Sequence, residues 1–487
     1  MPARFLPRAA ALGALTAAGQ LLLIATLPLY SRFFDPTAYG QFILFVGIST
    51  VLSVFAGLRY DSAIVLPLDA RTADSLTALV TLIGATLAVL IALVTLGVSS
   101  TGRHAPEWWP GTGFGCALAL VTLLGAMQRA WGSWCVRLGR FLLLGWAQFS
   151  LSLVTVVAQL ALVHYLSPLT ALVWGYVVAV AAQTACLGTV RGWRGRGDRA
   201  SWSELWRAAR EYRRFPIYMV GYALASTVRE RLVQLALAVG AGAAAVGRFG
   251  LASRVALAPN SLLYSAVSPI FYGIASRGNA QSVGRFAAGL VEVSFVLLAV
   301  PYTALAVEAS ALTEQLLASK WSGTGPFLQA LAAPGFLLAG TCWLDRAFDA
   351  FNRQRVALAL EAGFTVCVVA LVAVLASRVA PVWTVRIYAA AAATYYWVYF
   401  FMTFTACGFP LREFRRACAN GASAVLLAAA TTLLASQLRE LPWRLAADVL
   451  GLGLVLWFWL TLRGGRDTLR MLTHSRVPAD PIPGAAN

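Results

Sequence analysis

Three consecutive charged residues, Arg229, Glu230 and Arg231, interrupt a long apolar stretch at residues 215–240. A charge at the centre of a membrane helix costs roughly 2.5–3.5 kcal/mol, so such residues are kept where they face water or a partner. Neighbouring helical residues point about 100° apart, so the three cannot share one direction. We predict that Arg229 and Glu230 line a hydrated cavity and that Arg231 points elsewhere. The alternative is an intramembrane ion pair that only fixes helix packing.

A second polar stripe lies in the next apolar stretch, residues 246–272. Its members follow one another at steps of four, three, four and three, which is the spacing of one helix face. They are Arg254, Ala258, Ser261, Ser265 and Ser268. Small residues at this spacing also suit close packing of membrane helices. Because an arginine heads the stripe, we favour a cavity wall that includes Arg254 and Ser261.

Arg129 is a further candidate, because it follows Gln128 within the apolar stretch 112–136. It lies near the predicted cytoplasmic end, from which a long arginine side chain can also simply reach water. Arginine suits phosphate groups, since its guanidinium offers a planar fork of donors. Arginines in a water-filled cavity therefore predict an anionic, phosphate-bearing substrate.

The motifs of enzymes are absent from the sequence. It contains no nucleophile elbow, metal motif or phosphate loop. Its seven cysteines include no CxxC pair, and its three histidines are far apart. We therefore expect no enzymatic activity, no catalytic residue, no metal site and no cofactor.

The amino-acid composition indicates that these residues lie in a protein surrounded by lipid. Of 487 residues, 59% are hydrophobic and 12% charged, whereas soluble domains carry about 25% charged residues. Since a membrane-spanning helix needs about 20 mainly apolar residues, we predict an all-α polytopic membrane protein with about fourteen transmembrane helices. The predicted spans are 9–30, 38–58, 74–98, 112–136, 141–164, 168–190, 215–240, 246–272, 286–309, 326–349, 356–376, 384–407, 417–437 and 444–463.

The net charge of +18 comes almost entirely from arginine, since Lys320 is the single lysine. Most arginines lie in short loops on one side of the predicted spans, which the positive-inside rule assigns to the cytoplasm. Both chain ends are then cytoplasmic. Anionic membrane lipids are the expected partners of these loops, and nucleic acid is not.

The longest basic connection, residues 191–214, contains eight arginines and divides the chain. We predict an N-terminal lobe of six spans at 1–190 and a C-terminal lobe of six at 215–410. Two further spans at 411–463 and a cytoplasmic tail at 464–487 follow.

The second half of this basic linker could form an amphipathic helix from Ser201 onward. Such a helix would lie on the inner leaflet with Trp202, Leu205 and Trp206 toward lipid. A solvated linker between the lobes is the alternative.

Two short segments echo each other at the start of the second and the eighth span. Ala38–Leu44 reads AYGQFIL and Ala245–Leu251 reads AVGRFGL, with four identical positions. Six spans separate the copies, an even number, so both would cross the membrane in the same direction. This geometry suits two lobes related by an axis along the membrane normal.

Three stretches of the sequence form a recognisable pattern: LPLYSRFFDPTAYGQFILF (27–45), GLRYDSAIVLP (57–67) and VGRFGLASRVALAPNSLLYSAVSPIFYGIAS (246–276). This pattern resembles the Wzx-type lipid-linked oligosaccharide flippases. These flippases belong to the multidrug/oligosaccharidyl-lipid/polysaccharide exporter superfamily, with multidrug and toxin extruders and the lipid II flippase. The similarity spans roughly residues 9–410, and the last two predicted spans exceed the twelve-helix core common in the superfamily.

The resemblance implies two helical lobes around a central cavity. It implies that a polyprenyl-diphosphate-linked oligosaccharide crosses from the inner to the outer leaflet of the bacterial inner membrane by alternating access. The product would be O-antigen, and thus lipopolysaccharide, or capsule or exopolysaccharide. A proton or sodium gradient would drive the transport. A polymerase and a chain-length regulator would be the protein partners. Arg59 and Asp61 join the candidate site residues because they lie in the second stretch, and Arg254 lies in the third. Among the candidates, we predict that Arg229 and Arg254 grip the diphosphate.

Three other functions remain as alternatives. A multidrug extruder of the same superfamily should have acidic and aromatic residues in its cavity, whereas arginines outnumber acids in these spans. A polysaccharide polymerase or O-antigen ligase should have a long external loop, but the connections 310–325 and 99–111 are short. A coupled symporter should have broken, glycine-rich helices in pairs, and no convincing pair is present.

Overall fold

The computed structural model describes residues 5–67, 69–100, 111–191, 201–213, 215–276, 278–438, 440–461 and 465. Within these ranges, the description of side chains excludes residues 5–10, 98–100, 191, 218, 219, 221–230, 265, 266 and 269. The described backbone is almost entirely helical and contains no strand. The predicted all-α fold is therefore confirmed.

The chain divides into two compact units. The first contains Met1–Val255, Thr313–Phe327 and Thr365–Val385. Its helices are α1 (Phe5–Ala25), α2 (Leu27–Phe33), α3 (Pro36–Gly57), α4 (Tyr60–Ala63), α5 (Ala70–Ser100), α6 (Thr112–Arg137), α7 (Phe141–Leu162), α8 (Pro168–Gly188), α9 (Trp202–Glu211) and α10 (Val220–Ala256).

The second unit contains Ala256–Leu312, Leu328–Phe364 and Arg386–Asn487. Its helices are α11 (Ala258–Ala275), α12 (Ala280–Leu316), α13 (Gly325–Thr341), α14 (Asp345–Ala350), α15 (Gln354–Leu375), α16 (Pro381–Ala406), α17 (Leu411–Ala435) and α18 (Leu441–Thr461). Four of them, α12, α13, α15 and α16, each contribute one end to the first unit.

Helix boundaries follow local chemistry. The Asp35 carboxylate accepts a hydrogen bond of 2.8 Å from the Ala38 N–H, and Pro36 occupies the first turn of α3. The backbone of α10 is non-helical at Gly242, where φ is 80°, so α10 consists of two helical segments. Pro259 lies in the first turn of α11. The predicted span 246–272 is therefore interrupted near Leu257.

Each unit has an aromatic core. In the first, the rings of Phe45 and Phe114 are 5.0 Å apart, edge to face, and both are buried. In the second, the rings of Phe271 and Trp343 are 4.8 Å apart and fully buried. A β-carbon on Gly421 would lie 2.7 Å from the ring of Phe295, so α17 approaches α12 closely only because that position has no side chain.

In the described part of the chain, eleven helices are long and apolar enough to cross a membrane, or twelve if the bent pair α1 and α2 counts as one span. Every predicted span corresponds to helical backbone, but α11 and α16 do not meet this criterion. The multispan topology is confirmed, and the count of fourteen stays a prediction.

The compact units are not composed of the same segments as the predicted lobes 1–190 and 215–410. Most of α10 and the stretches 313–327 and 365–385 belong to the first unit. Lobes are defined by how they move, whereas these units reflect packing in one conformation, so the lobe boundaries stay predictions. The tail at 464–487 lies outside the described residues except for Gly465.

Candidate functional site

The turn between α3 and α4 has an unusual backbone. Leu58 and Arg59 both adopt left-handed conformations, with φ of 43° and 60°. Such a conformation costs about 1–3 kcal/mol for a residue other than glycine, and it persists where surrounding contacts enforce it. The hydroxyl of buried Tyr60 donates to the Ala209 carbonyl at 3.0 Å, and Arg137 donates to the Ile64 carbonyl at 3.1 Å. The strained turn is thus fixed from two sides.

This turn brings Arg59, Asp61 and Arg129 together. A β-carbon on Gly57 would lie 3.0 Å from Oδ1 of Asp61 and 3.8 Å from a terminal nitrogen of Arg129. Arg129 interacts electrostatically with both Asp61 and Arg59. Two of these residues were predicted from the resemblance and the third from its place in an apolar helix, and the structure unites them.

Each of the three side chains has a buried polar atom without a hydrogen-bond partner. These atoms are Nε of Arg59, Oδ1 of Asp61 and Nη2 of Arg129. Buried polar groups are nearly always hydrogen-bonded, so unpaired ones require an explanation. Two guanidinium groups and one carboxylate give the cluster a net positive charge, and its unpaired arginine donors suit an anion.

Helix α9 packs beside this cluster. Its N-terminus has a capping box, in which the Ser201 hydroxyl accepts from the Glu204 N–H and the Glu204 carboxylate accepts from the Ser201 N–H at 2.9 Å. Arg71 forms an ion pair of 2.7 Å with Glu204. The Ser201 N–H and the nearby Arg71 hold the pKa of Glu204 below its ordinary value. The predicted helix is confirmed, while its contact with lipid stays a prediction.

An apolar groove of about 440 Å³ runs between α3, α5 and α9. Trp202 and Trp206 are largely exposed, at 72% and 63%, whereas Ala208 on the opposite face of α9 is buried. Leu58 lines the groove and immediately precedes Arg59 of the charged cluster in the chain. Its other lining residues include Leu79, Leu82, Leu90, Trp202 and Trp206.

Arg254 lies in a packed contact. A terminal nitrogen of Arg254 donates to the hydroxyl of buried Tyr39 at 3.1 Å. The Tyr39 ring in turn meets the ring of Trp321 edge to face at 5.6 Å. Arg254 thus joins α10 to α3 in this conformation.

The remaining predicted residues divide between the two units. Arg229 and Glu230 lie on α10, but their side chains are outside the described residues. Arg231 donates to Gln234 at 3.0 Å and lies beside Gly47 of α3. Ser261 donates to the Ala258 carbonyl of its own helix at 3.0 Å. The helix break near Leu257 interrupts the face that was predicted to join Arg254 and Ser261.

A polar network in the second unit was not predicted as a site. Arg346 donates to the Tyr264 hydroxyl at 2.7 Å and to Ser268 at 3.2 Å, and Tyr264 donates to Asp345 at 3.1 Å. In the sequence, Ser268 stood out as the end of the small-residue stripe, and Asp345 as an acidic residue near the inner end of its predicted span. Among the described residues, no group of three or more histidine, cysteine, aspartate or glutamate side chains is placed to hold a metal ion.

The sequence profile of a family described as "Polysaccharide biosynthesis protein" matches residues 29–326. No curated protein sequence matches the chain. The fold resembles that of the lipid II flippase MurJ in an inward closed conformation, with a TM-score of 0.71 and 11% identity over 94% of this chain and 99% of that one.

Two further solved structures share the fold. An inward-facing multidrug resistance MATE transporter has a TM-score of 0.63 and 12% identity, over 80% of this chain and 94% of that one. A MATE protein in complex with MaL6 has a TM-score of 0.52 and 12% identity, over 82% and 96%. At these identities the likeness concerns the fold alone.

Proposed function

The chain belongs to the polysaccharide biosynthesis protein family, and we propose that within it the chain is a Wzx-type flippase. Its cargo is a polyprenyl-diphosphate-linked oligosaccharide repeat unit. The protein moves this cargo from the inner to the outer leaflet of the bacterial inner membrane. The product serves the synthesis of O-antigen, capsule or exopolysaccharide, beside a polymerase and a chain-length regulator.

The observation that supports this cargo is the buried cluster of Arg59, Asp61 and Arg129. Guanidinium groups pair with phosphate oxygens through parallel hydrogen bonds. The unpaired Nε of Arg59 and Nη2 of Arg129 are donors of this kind. Asp61 lies close enough to Arg129 to interact with it when no diphosphate is bound.

The predicted orientation places this cluster where the cargo starts. The span 38–58 runs from the outer to the inner side, so the turn after it lies near the cytoplasm. The lipid-linked substrate is made on that side. The diphosphate therefore enters the cluster from the inner leaflet, and the sugars occupy a hydrated cavity.

The polyprenyl tail lies in the apolar groove between α5 and α9. Two consecutive residues support this assignment, since Leu58 lines the groove and Arg59 belongs to the charged cluster. Burial of an apolar chain contributes about 0.8 kcal/mol per methylene group. The tail thus adds affinity without entering the polar cavity.

Release to the outer leaflet requires contacts on the predicted outer side to open. There the Ala318 N–H donates to Ser31 and the Trp321 indole donates to the Phe34 carbonyl, each at 2.9 Å. Tyr39 and Arg254 pair on the same predicted side. A proton or sodium gradient drives the alternation between the closed and the open state.

Complementation of a deletion strain tests the proposal. Loss of a hydrogen bond to a charged group costs about 1.5–3 kcal/mol, so R59A combined with R129A should lower polysaccharide export at least tenfold. Lipid-linked repeat units should then accumulate in the inner leaflet. The matched control is R140A, an exposed arginine at the same predicted side. Full export by the double variant at normal abundance would refute the proposal, and drug sensitivity of the deletion strain alone would favour the multidrug extruder.

A further inference from the structure

Two acidic side chains of the second unit are buried and interact with each other electrostatically. Glu308 of α12 is 2% exposed and Asp448 of α18 is 7% exposed. Their carboxyl groups interact electrostatically. Two carboxylates that share one buried place repel each other, and each loses its hydration. A nearby positive charge therefore favours the state in which both are ionised.

The oxygens of this pair are poorly satisfied by the protein. Both carboxylate oxygens of Glu308 and Oδ2 of Asp448 are buried and have no hydrogen-bond partner. The remaining oxygen, Oδ1 of Asp448, accepts from the Thr432 hydroxyl at 3.0 Å. The Thr432 hydroxyl lies 3.4 Å from that of Thr303, and both threonines are buried. Carboxylate and hydroxyl oxygens from α12, α17 and α18 therefore converge.

The positive group that interacts with this cluster is Arg444. It interacts electrostatically with Glu308, while its Nε donates to the Leu438 carbonyl at 2.7 Å. Two carboxylates and one guanidinium leave a net charge of −1. A single positive charge would complete the balance.

We propose that Glu308 and Asp448, with the hydroxyl of Thr432, bind one monovalent cation, Na⁺. Hard cations take several oxygen ligands at once, and here three unpaired carboxylate oxygens and a hydroxyl lone pair are available. A shared proton would join only two of those oxygens and would leave the third without a partner. The charge balance favours one monovalent ion over a divalent one.

The site involves the two helices whose purpose the sequence leaves open. Both α17 and α18 lie beyond the residues 29–326 that match the family. The cation fixes them against α12, which carries Glu308. The site shares no residue with the cluster of Arg59 and Arg129, so cation binding does not depend on the identity of the cargo.

The purified full-length protein in detergent allows a direct test. Tm is measured in NaCl and in choline chloride of equal ionic strength, at about pH 8, which is well above the ordinary pKa of a carboxyl group. Tm should rise saturably with Na⁺, and radioactive Na⁺ should bind once per chain. E308Q and D448N should each weaken the apparent Na⁺ affinity at least tenfold. E314Q, an exposed acid on the same helix, should leave it unchanged.

Folding is controlled within the same experiment. In choline chloride, E308Q and D448N should melt no lower than the native protein, because each removes an uncompensated buried charge. Identical melting in Na⁺ and choline would overturn the proposal, and so would undiminished Na⁺ binding by the double variant. Stabilisation by acid without any effect of Na⁺ would show a shared proton and would overturn it too. No cargo is present, so the outcome is independent of the flippase proposal.

Discussion

Gly40 of α3 and Gly247 of α10 lie directly against each other. A β-carbon on Gly40 would lie 2.9 Å from the nitrogen of Gly247 and would overlap the Ala243 carbonyl oxygen. A β-carbon on Gly247 would lie 3.1 Å from the nitrogen of Gly40 and would overlap the Pro36 carbonyl oxygen. Each glycine thus meets the carbonyl four residues before the other. The two glycines occupy equivalent positions in the repeated segments, so the contact is locally two-fold symmetric.

This contact predicts a strong response to a single methyl group. G40A or G247A cannot be accommodated unless the helices separate, so each should destabilise the closed state by about 1–3 kcal/mol, the usual cost of overpacking. Export should fall, and Tm in detergent should drop. The control is G13A, because a β-carbon on Gly13 meets nothing within 4 Å and alanine favours a helix. Unchanged Tm for both G40A and G247A would show that the crossing is looser than described.

The hydrogen bond between Tyr39 and Arg254 predicts non-additive substitutions. If Arg254 acts through Tyr39, Y39F and R254A should affect Tm similarly, and the double variant should be no worse than R254A alone. The expected coupling is about 0.5–1.5 kcal/mol, the net value of such a bond. Additive effects, with R254A abolishing export and Y39F leaving it intact, would instead place Arg254 on the cargo, as the sequence first suggested.

Sequence patterns predicted what depends on local chemistry. Apolar runs located the helices, and the capping pattern at Ser201 and Glu204 agrees with the start of α9. The repeated segments predicted two equivalent positions, and the structure adds that Gly40 and Gly247 touch. Helical periodicity identifies a face, however, and does not say which helix that face meets.

For this reason, the sequence does not predict which residues on distant helices pair with each other. Glu308 and Asp448 lie on helices separated by five others along the chain, and no spacing rule connects them. Arg254 headed a polar stripe, but its partner Tyr39 lies on a helix of the predicted opposite lobe. The prediction of a single polar stripe required one continuous helix. The helix break near Leu257 separates Arg254 from the other members of the stripe. Which polar residues become buried together depends on the tertiary structure, and local sequence patterns do not contain this information.

Substitution of Glu292 should lower the stability of the protein, independently of any role in transport. It is fully buried, and its carboxylate accepts from the Asn420 amide at 2.8 Å and the Trp459 indole at 2.7 Å, with Arg416 at 3.4 Å. E292A leaves these donors unpaired, which should cost about 3–5 kcal/mol. E292Q retains a carbonyl acceptor and should cost less. Thermal unfolding in detergent measures both, and equal Tm for native protein and E292A would contradict this role.

If the polyprenyl tail occupies the groove beside α9, a larger side chain in the groove should block transport without any change of charge. Leu82 of α5 is 42% exposed and lines the groove together with Trp206. L82W should fill space that the polyprenyl tail needs, and it changes no charge near Arg59. Export of long-tailed lipid-linked repeat units should fall several-fold while Tm stays near that of the native protein.

The tail length distinguishes this effect from general damage. A proteoliposome assay with the same diphosphate head on a short isoprenoid should be insensitive to L82W, because a short tail does not reach the filled region. L426W on α17 provides the control, since Leu426 is 72% exposed and lies outside the groove. Equal inhibition of short-tailed and long-tailed substrates by L82W would exclude the groove as the tail site and would leave the tail in the surrounding lipid.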